Sequence, residues 1–443
     1  MKITKIEVKK LFNMFDYLIN LNQEEKITII HGPNGSGKTV ILSMISSLFN
    51  KKYSIFRKIP FQEFRVIFDD SSALSIKANH KKSLIITHQN SNKEKIDAVE
   101  LERSLFTLNV PKRFIEEIIP NLRQIGPDVW QDTKTDGYLT FSDIQDTYYD
   151  DLLPFSDNTA SRDKQKETEW LEKILKKIEI IFIETNRLLK TNFSVEKKLR
   201  FSEKLGFENV VKQYAEDLAN RIKNANTQYA QTSQQIDRTF PKKLIDFINE
   251  KKPPLTVEEI TDELEKISDK RKQLVEAGLL VDDNEEENIT VTEDVRNTLH
   301  IYVEDRKAKL EVLAGKKLLE QIKIFKEIIT NRFSHKEIMI TQNSGFTFTT
   351  NHGDPLDVSS LSSGEQQEII LFYKLIFETP PNSLVLIDEP ELSLHIAWQQ
   401  EFLKDVLIIT QSSDFDVLIA THSPDIINDN WDLTVELGIN HEK

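Results

Sequence analysis

Short apolar segments at both ends of the chain enclose a long middle part in which apolar residues recur at helical spacing. Near the amino terminus, residues 3–9 and 26–31 have the pattern of short strands, and helical spacing follows from 38 to 50. Alternation of apolar and polar residues then predicts a small antiparallel meander of three strands, at 64–69, 73–77 and 84–87. This order of elements is typical of an α/β protein.

The carboxyl-terminal part returns to the same alternation of strands and helices. Strands are predicted at 338–341, 346–350, 384–387 and 417–420, and helices at 365–377 and after 397. A further buried strand is predicted at 178–183. We therefore expect both ends of the chain to close one α/β domain into which the middle is inserted.

The middle of the chain is predicted to be mostly helical. Residues 97–175 are mixed, and 207–280 read as helix with interruptions at Phe240-Pro241 and Pro253-Pro254. A second long helix is expected from Thr292, as its N-cap, to Phe333. The loop at 282–288 between them carries five acids and no apolar side chain, which predicts an antiparallel helical arm around a solvated loop. Such an arm is either a partner-binding lever or an insertion that packs only on its own core.

These patterns give a domain prediction. The head comprises 1–95 and 335–443, a lid-like mixed insertion comprises 96–200, and the arm comprises 201–334 with the acidic loop at 282–288. The fold class is α/β, with a head formed by both ends of the chain and a long, mostly helical insertion.

Composition narrows the environment and the partners. The 443 residues contain no cysteine, which excludes disulfides, thiolate metal sites and the zinc hook that tips some DNA-repair ATPases. No apolar run approaches the roughly 20 residues that a membrane span needs, and a strand begins at once, so we expect a cytoplasmic protein. The net charge of −14 favours protein partners over nucleic acid, because nucleic-acid binders are usually basic.

One segment matches a phosphate-binding loop. Gly32 to Thr39 fits the pattern GxxxxGK[ST], placed after a strand and before a helix. Lys38 would contact the β- and γ-phosphates of ATP, and the Thr39 hydroxyl would bind Mg²⁺. The predicted ATP-binding residues of the loop are Asn34, Gly35, Ser36, Gly37, Lys38 and Thr39.

Two acids follow a predicted buried strand at 384–387. Ligands of α/β sheets bind at the carboxyl ends of the strands, which is where Asp388 and Glu389 stand. Asp388 is predicted to bind the metal, and Glu389 to accept a proton from the attacking water. The alternative is that both acids only cap the next helix.

A small polar segment precedes the helix predicted at 365. Ser362, Ser363 and Gly364 offer hydroxyl and backbone N–H groups to an anion, with Leu361 anchoring the turn. Ser362 would touch the γ-phosphate. The alternative is a plain N-terminal cap by Ser363.

A histidine follows the strand at 417–420. His422, within Thr421-His422-Ser423-Pro424, is predicted to donate to the γ-phosphate and so to take part in catalysis. An isolated histidine is more often an ordinary packed side chain, and this alternative stays open.

Taken in order, these motifs resemble those of the ABC/SMC ATPases, a superfamily that includes RecF, the SMC proteins and the OLD nucleases. The resemblance covers mainly residues 1–90 and 335–430, as Walker A, signature, Walker B and switch histidine. It implies a head-to-tail dimer that uses ATP and Mg²⁺, in which the signature of one subunit completes the Walker A site of the other.

The sequence departs from this superfamily at two places. His395 stands where an aspartate is usual after the Walker B segment. A Q-loop glutamine is not evident: Gln124 and Gln131 are candidates, and Thr185-Asn186 occupies the expected place. That metal ligand therefore stays unassigned.

Three further stretches resemble standalone AAA-type ATPases of bacterial anti-phage loci, such as those of the PARIS and Septu systems. They are Ile183–Leu188, Asp237–Pro241 and Ser393–Gln399. The resemblance implies an ATPase that oligomerises, responds to a phage protein trigger and controls a nuclease effector, often of Toprim type. The short segment after His422 leads us to expect that effector on a separate polypeptide. The competing hypothesis is a RecF-like repair ATPase that binds DNA directly, whereas a transporter subunit is disfavoured by the insertion and His395.

Overall fold

The computed structural model describes most of the chain. The described residues are 1–78, 84–90, 96–101, 110–133, 138–141, 143–144, 148, 152, 155, 169–184, 207–250, 253–281, 291–315, 317–392 and 394–438. The acidic loop at 282–288, Thr185-Asn186 and Ser393 lie outside them.

Strands and helices alternate at both ends of the chain and helices dominate its middle. The strands are β1 (Ile3–Leu11), β2 (Phe15–Asn20), β3 (Ile27–His31), β4 (Glu63–Phe68), β5 (Ala73–Ala78), β6 (Leu84–Gln89), β7 (Ile96–Leu101), β8 (Leu122–Gly126), β9 (Val129–Asp132), β10 (Tyr138–Thr140), β11 (Ile180–Glu184), β12 (Lys336–Thr341), β13 (Gly345–Thr350), β14 (Pro355–Leu356), β15 (Leu384–Asp388), β16 (Asp416–Ala420) and β17 (Thr434–Glu436). The helices are α1 (Lys38–Phe49), α2 (Ile55–Lys58), α3 (Ile115–Ile118), α4 (Glu169–Leu175), α5 (Phe207–Glu250), α6 (Val257–Glu276), α7 (Arg296–Ala314), α8 (Lys317–Arg332), α9 (Ser363–Tyr373), α10 (Ile396–Ser412) and α11 (Pro424–Ile427).

The chain forms two compact units. The first comprises 1–186, 379–392 and 399–443, and the second comprises 187–378 and 393–398. The predicted α/β fold with a helical insertion is confirmed, because the first unit takes its strands from both ends of the chain. No helix in the described ranges is long and apolar enough to cross a membrane.

A parallel sheet in the order β11-β15-β16-β3-β17 forms the centre of the first unit. A second, antiparallel sheet has the order β2-β1-β4-β5-β6-β7, and it contains the predicted meander. Helix α1 lies in one buried cluster with strands of both sheets, through side chains such as Ile45, Leu386 and Ile6. The apolar residues that recur at helical spacing over 38–50 therefore form the face of α1 that is buried in the core.

A third sheet, β8 to β10, was not predicted. It lies in the mixed segment 97–175 and packs around the fully buried Trp130. Its strands are three to five residues long, too short for alternation to distinguish them from loop.

The second unit consists of helices α5 to α9 around the antiparallel strands β12 to β14. Near its amino-terminal end, α5 packs on α9: the rings of Tyr214 and Tyr373 stack with centroids 4.3 Å apart, and the Tyr373 hydroxyl donates to Asp217 Oδ2 over 2.6 Å. The helix α9 continues directly into a π-helical turn, Lys374–Glu378.

The interruption predicted at Phe240-Pro241 is wrong, because α5 runs through Pro241 without a break. Proline removes one backbone N–H from the helix, but contacts near it hold the helix together. The Thr239 hydroxyl donates to the Ile236 carbonyl over 2.9 Å, and Lys309 of α7 pairs with Asp237 over 2.6 Å.

The long helix predicted from 292 to 333 is likewise corrected. It is divided at Gly315 into α7 and α8, and Thr292 precedes a short 3-10 turn without a side-chain cap bond. The break predicted at Pro253-Pro254 is confirmed, since α5 ends at Glu250 and α6 begins at Val257.

The helical arm is present, but its antiparallel partners differ from those predicted. Helices α5 and α7 run antiparallel, as the ion pairs Lys243–Asp305 and Lys309–Asp237 show by their order. Helices α6 and α7, which flank the acidic loop in sequence, run in the same direction; their ordered contacts are Leu255 with His300, Glu263 with Lys307 and Lys270 with Glu311.

Candidate functional site

The carboxyl ends of the parallel strands lie side by side at one edge of the sheet. Asp388 pairs in register with Ala420, which in turn pairs with Ile30. Asp388 is the first of the two acids, the histidine segment begins directly after Ala420, and the phosphate loop begins two residues after Ile30. Three motifs that are far apart in sequence are thus brought together within the first unit.

The phosphate loop has the backbone that its glycines predict. Gly32 has φ of 148°, and a Cβ atom there would lie 2.0 Å from the Leu437 carbonyl oxygen, so only glycine fits. A Cβ atom on Gly35 (φ of 83°) would meet nothing within 4 Å, which leaves open space beside the loop. Gly37 is the N-cap of α1 and supplies no side-chain cap, so that the first N–H groups of the helix are available to an anion.

The other loop residues fit a phosphate cradle as well. Asn34 is exposed at the tip of the loop. Ser36 is 2% exposed, and its hydroxyl has no hydrogen-bond partner among the described residues, while its backbone carbonyl accepts from the Tyr17 hydroxyl over 2.9 Å. A buried hydroxyl without a partner costs free energy, which a phosphate oxygen or water would recover.

Lys38 is buried at the first position of α1. Its ammonium group donates to the carbonyl oxygens of Gly32, over 2.8 Å, and Pro33, over 3.2 Å. Burial lowers the pKa of Lys38, whereas the carboxylates of Glu389, Glu391 and Asp388 act in the opposite direction. The ammonium group is thus held among acids at the sheet edge.

The two predicted metal ligands touch each other. The Thr39 hydroxyl donates to Asp388 Oδ1 over 3.0 Å, although the two residues are 349 positions apart. Hydroxyl and carboxylate oxygens are the ligands that Mg²⁺ prefers, and it keeps few protein ligands beside phosphate and water. The described residues contain no cluster of three or more His, Cys, Asp or Glu side chains that could hold a metal ion.

Glu389 has an unusual backbone. Its φ of 48° lies in the left-handed region, where non-glycine residues are strained, and its N–H donates to the Ala420 carbonyl over 2.8 Å. This backbone conformation and the hydrogen bond together set the direction in which the Glu389 side chain projects at the end of strand β15. The alternative reading, that the acids only cap the next helix, does not account for the Thr39 contact.

His422 stands between Lys38 and Glu389. Its Nδ1 lies 3.3 Å from Lys38 Nζ, and its Nε2 lies 3.7 Å from Glu389 Oε1. Because an ammonium group can only donate, Nδ1 accepts, and the ring proton is on Nε2, facing the carboxylate. With about a third of its side chain exposed, His422 is not an ordinary packed core histidine.

Glu391 and Gln399 belong to the same site and were not predicted. Glu391 accepts hydrogen bonds from the Thr421 hydroxyl and the His422 N–H, both over 2.8 Å. Gln399 accepts from the Ser423 hydroxyl over 2.9 Å and donates to the Glu391 carbonyl over 3.3 Å. The sequence signal for Glu391 was its place as a third acid in the stretch from 388 to 391.

The predicted signature segment lies in the second unit. Ser362, rather than Ser363, caps helix α9: its Oγ accepts from the Glu365 N–H, and its own N–H donates to Glu365 Oε2 over 2.7 Å. Ser363 is exposed at the first helical position, and Leu361 is buried as predicted. A Cβ atom on Gly364 would meet nothing within 4 Å, so this helix end has an open approach.

The Glu365 carboxylate is fixed by a second partner. Lys336 Nζ lies 2.7 Å from both of its oxygens. Burial acts to raise the pKa of Glu365, but the Lys336 hydrogen bond and the Ser362 N–H outweigh it, and the pKa is lowered. The charged carboxylate thereby keeps the N-terminal turn of α9 in place.

The Q-loop ligand stays unassigned. Gln124 and Gln131 lie in the three-stranded sheet β8 to β10 and not in the parallel sheet. Thr185-Asn186 lies outside the described residues. His395, in the second unit, accepts from the Ala397 N–H at Nδ1 over 3.3 Å and packs edge-on against Trp398.

The α/β fold, together with the phosphate loop and the acids at the carboxyl ends of the parallel strands, defines a P-loop ATPase. The chain belongs to the AAA ATPase domain family, which matches residues 1–427. No curated protein matches it.

Solved structures similar to this chain include SMC heads. The Smc head domain with an extended coiled coil bound to the C-terminal domain of ScpA, from Pyrococcus furiosus, has 12% identity and a TM-score of 0.31, covering 96% of this chain and 91% of that chain. The SMC head domain from Thermotoga maritima has 10% identity and a TM-score of 0.32, with the same coverage.

Proposed function

We propose that this chain binds ATP with Mg²⁺ at the edge of the parallel sheet and hydrolyses it to ADP and phosphate. The contact between Thr39 and Asp388 is the observation that carries the proposal, because it joins the end of the phosphate loop to the first acid of the Walker B segment. Mg²⁺, held there, would neutralise phosphate charge. Lys38 would hold the β- and γ-phosphate oxygens, and Asn34 to Gly37 would offer backbone N–H groups.

In this proposal Glu389 accepts the proton of the attacking water and His422 positions the γ-phosphate through Nε2–H. The chain of contacts from Lys38 through His422 to Glu389 supports these roles, since it places an amine, an imidazole ring and a carboxylate in succession. A carboxylate is a suitable general base near neutral pH when its position is fixed.

We propose further that the active form is a head-to-tail dimer or a higher homo-oligomer, in which Ser362, Ser363 and Gly364 contact the ATP bound by another copy. Ser362 Oγ accepts from the Glu365 N–H, so its own hydroxyl proton is left to donate. The open approach at Gly364 and the N-terminal end of α9 suit an anion. Resemblance to the ABC/SMC ATPases supplies the head-to-tail arrangement.

A mixing experiment tests this shared site. Ser362→Arg should abolish hydrolysis because its bulk and length block the γ-phosphate of the other copy, and Lys38→Ala should abolish it in its own site. In a mixed dimer one site carries both defects and the other carries neither, so mixing the two inactive proteins should restore part of the wild-type turnover.

The matched control is Ser344→Arg, which places the same side chain on an exposed turn between β12 and β13. It should hydrolyse ATP at the wild-type rate. Absence of recovery on mixing, with heterodimers shown to form by native mass spectrometry, would contradict a productive composite site.

For the biological role, we propose a sensor and scaffold of a bacterial anti-phage system that controls a separate nuclease effector. In this proposal the chain resembles AriA of the PARIS system, with PtuA of the Septu system as the alternative. The effector would be of Toprim type and the trigger a phage protein. The net charge of −14 supports a protein partner over DNA.

Binding to DNA distinguishes this role from a RecF-like repair ATPase. We expect weak, sequence-independent binding to duplex DNA, because the net charge of −14 opposes association with phosphates. Such binding rests on phosphate contacts, so it should fall between roughly 50 and 200 mM salt. Binding to a co-encoded partner should persist over that range, since such interfaces rest on buried apolar contact. Fluorescence anisotropy with labelled duplex measures the first, and salt-resistant DNA binding would favour the repair hypothesis.

A further inference from the structure

Beyond the end of strand β16, the backbone segment that carries His422 has few ties to the sheet. The Thr421 N–H still donates to the Ile30 carbonyl over 3.1 Å, as in the ladder. The next N–H, that of His422, donates to a side chain instead: Glu391 Oε1, over 2.8 Å. Glu391 is therefore the acceptor that fixes the His422 backbone, beside the contacts of the Ser423 hydroxyl with Gln399 and of the His422 ring with Lys38.

The second oxygen of that carboxylate strengthens the same connection. Glu391 Oε2 accepts from the Thr421 hydroxyl over 2.8 Å, and that hydroxyl oxygen accepts from the Ser423 N–H over 3.0 Å. Thr421 is fully buried, so the network lies below the surface of the site. Hydrogen bonds to a charged acceptor contribute more to stability than hydrogen bonds between neutral groups.

Glu391 is also part of the turn that carries the candidate base. It lies two residues after Glu389, in the 3-10 turn Pro390–Leu392, and its own carbonyl accepts from Gln399. One side chain thus joins the turn that carries Glu389 to the segment that carries His422. These are the two residues whose Oε1 and Nε2 atoms lie 3.7 Å apart.

We infer that Glu391 is a positioning residue: it sets the distance between His422 and Glu389, and acts on ATP hydrolysis only through them. Its two oxygens accept from the Thr421 hydroxyl and the His422 N–H, so the contacts of this carboxylate are directed to the segment that carries His422. This inference rests on the proposed function of the site, in which His422 and Glu389 act on the same phosphate and water.

A double-mutant cycle tests this dependence. Glu391→Ala should lower kcat about 10- to 100-fold, as is typical of residues that orient a catalytic group, with KM for ATP changed less than about 3-fold. Glu391→Gln, which keeps one acceptor oxygen, should lose less. With alanine at 422, removal of Glu391 should cost less than about 3-fold more, because the two residues act as one unit.

The free protein offers a second readout. Hydrogen–deuterium exchange should accelerate at 421–423 in Glu391→Ala, because the His422 N–H loses its acceptor, while exchange in β3 and the melting temperature stay near wild type. Glu401→Ala is the control: it removes an exposed glutamate of α10 whose contact is with Lys404, and both readouts should be unchanged.

The outcomes separate the two ideas. Unchanged exchange at 421–423, or a Glu391→Ala effect as large with alanine at 422 as with histidine, would overturn the inference while leaving ATP hydrolysis in place. A wild-type protein that does not hydrolyse ATP would overturn the proposed function, and the exchange measurement would still decide whether Glu391 holds the segment.

Discussion

Replacement of Lys38 by alanine is expected to abolish measurable ATP binding. Its ammonium group is the buried cation of the phosphate loop, 4% exposed, and alanine leaves the negative β- and γ-oxygens facing the carboxylates of Asp388 and Glu389. Loss of a buried charged donor costs about 2–5 kcal/mol, so affinity should fall by a factor of roughly 30 to 5,000. Isothermal titration with a non-hydrolysable ATP analogue measures the change.

The control for this substitution is Lys9→Ala, which removes an exposed lysine of β1 that pairs with Glu63. It should bind ATP like the wild type. In Lys38→Ala the carbonyl oxygens of Gly32 and Pro33 lose a hydrogen-bond donor. Circular dichroism therefore has to establish that this variant is folded before its affinity is interpreted. Wild-type affinity of folded Lys38→Ala would mean that nucleotide binds elsewhere.

Replacement of Glu389 by glutamine is expected to leave ATP binding intact and to slow hydrolysis about 10²- to 10⁴-fold, because an amide cannot accept the proton of water. Glutamine keeps the length of the side chain and places no new demand on a backbone with φ of 48°. ATP bound but not hydrolysed should stabilise the oligomer, which light scattering detects as a higher mass in the presence of ATP and Mg²⁺.

Glu24→Gln is the matched control, since this glutamate is exposed in the turn before β3. Its turnover should equal that of the wild type. Turnover of Glu389→Gln within a factor of about three of wild type would assign the general base to another residue.

Sequence patterns located the elements at the sheet edge because each motif is contiguous. The Gly-rich loop, the apolar strand before Asp388 and the strand before His422 each specify their own conformation, and parallel strands align their carboxyl ends. The contact between Thr39 and Asp388 follows from that alignment, so the pairing could be anticipated from the motif order.

Contacts between distant residues account for what the sequence did not predict. Helix α5 continues through Pro241 where it lies against α7, and Lys309 of α7, 72 residues after Asp237, pairs with that residue one turn before the proline. The role of Glu391 depends on Thr421, 30 residues away, and no local pattern indicates that contact. Ser362 and Ser363 are both suitable N-cap residues by type. Ser362 is the cap because its Oγ accepts from the Glu365 N–H and its own N–H donates to the Glu365 carboxylate.

The unbroken course of α5 gives the second unit a mechanical property. At 1.5 Å per residue its 44 residues span about 66 Å, so a tilt of roughly 10° at one end displaces the other by roughly 11 Å. The pivot end bears on α9 through Tyr214 and Asp217, and the distal end is near Glu250. A ligand that binds near Glu250 and tilts α5 would thus change the packing of α5 on α9, the helix that Ser362 caps. Distances between spin labels on α5 and α9 would show whether its angle changes when ATP is added.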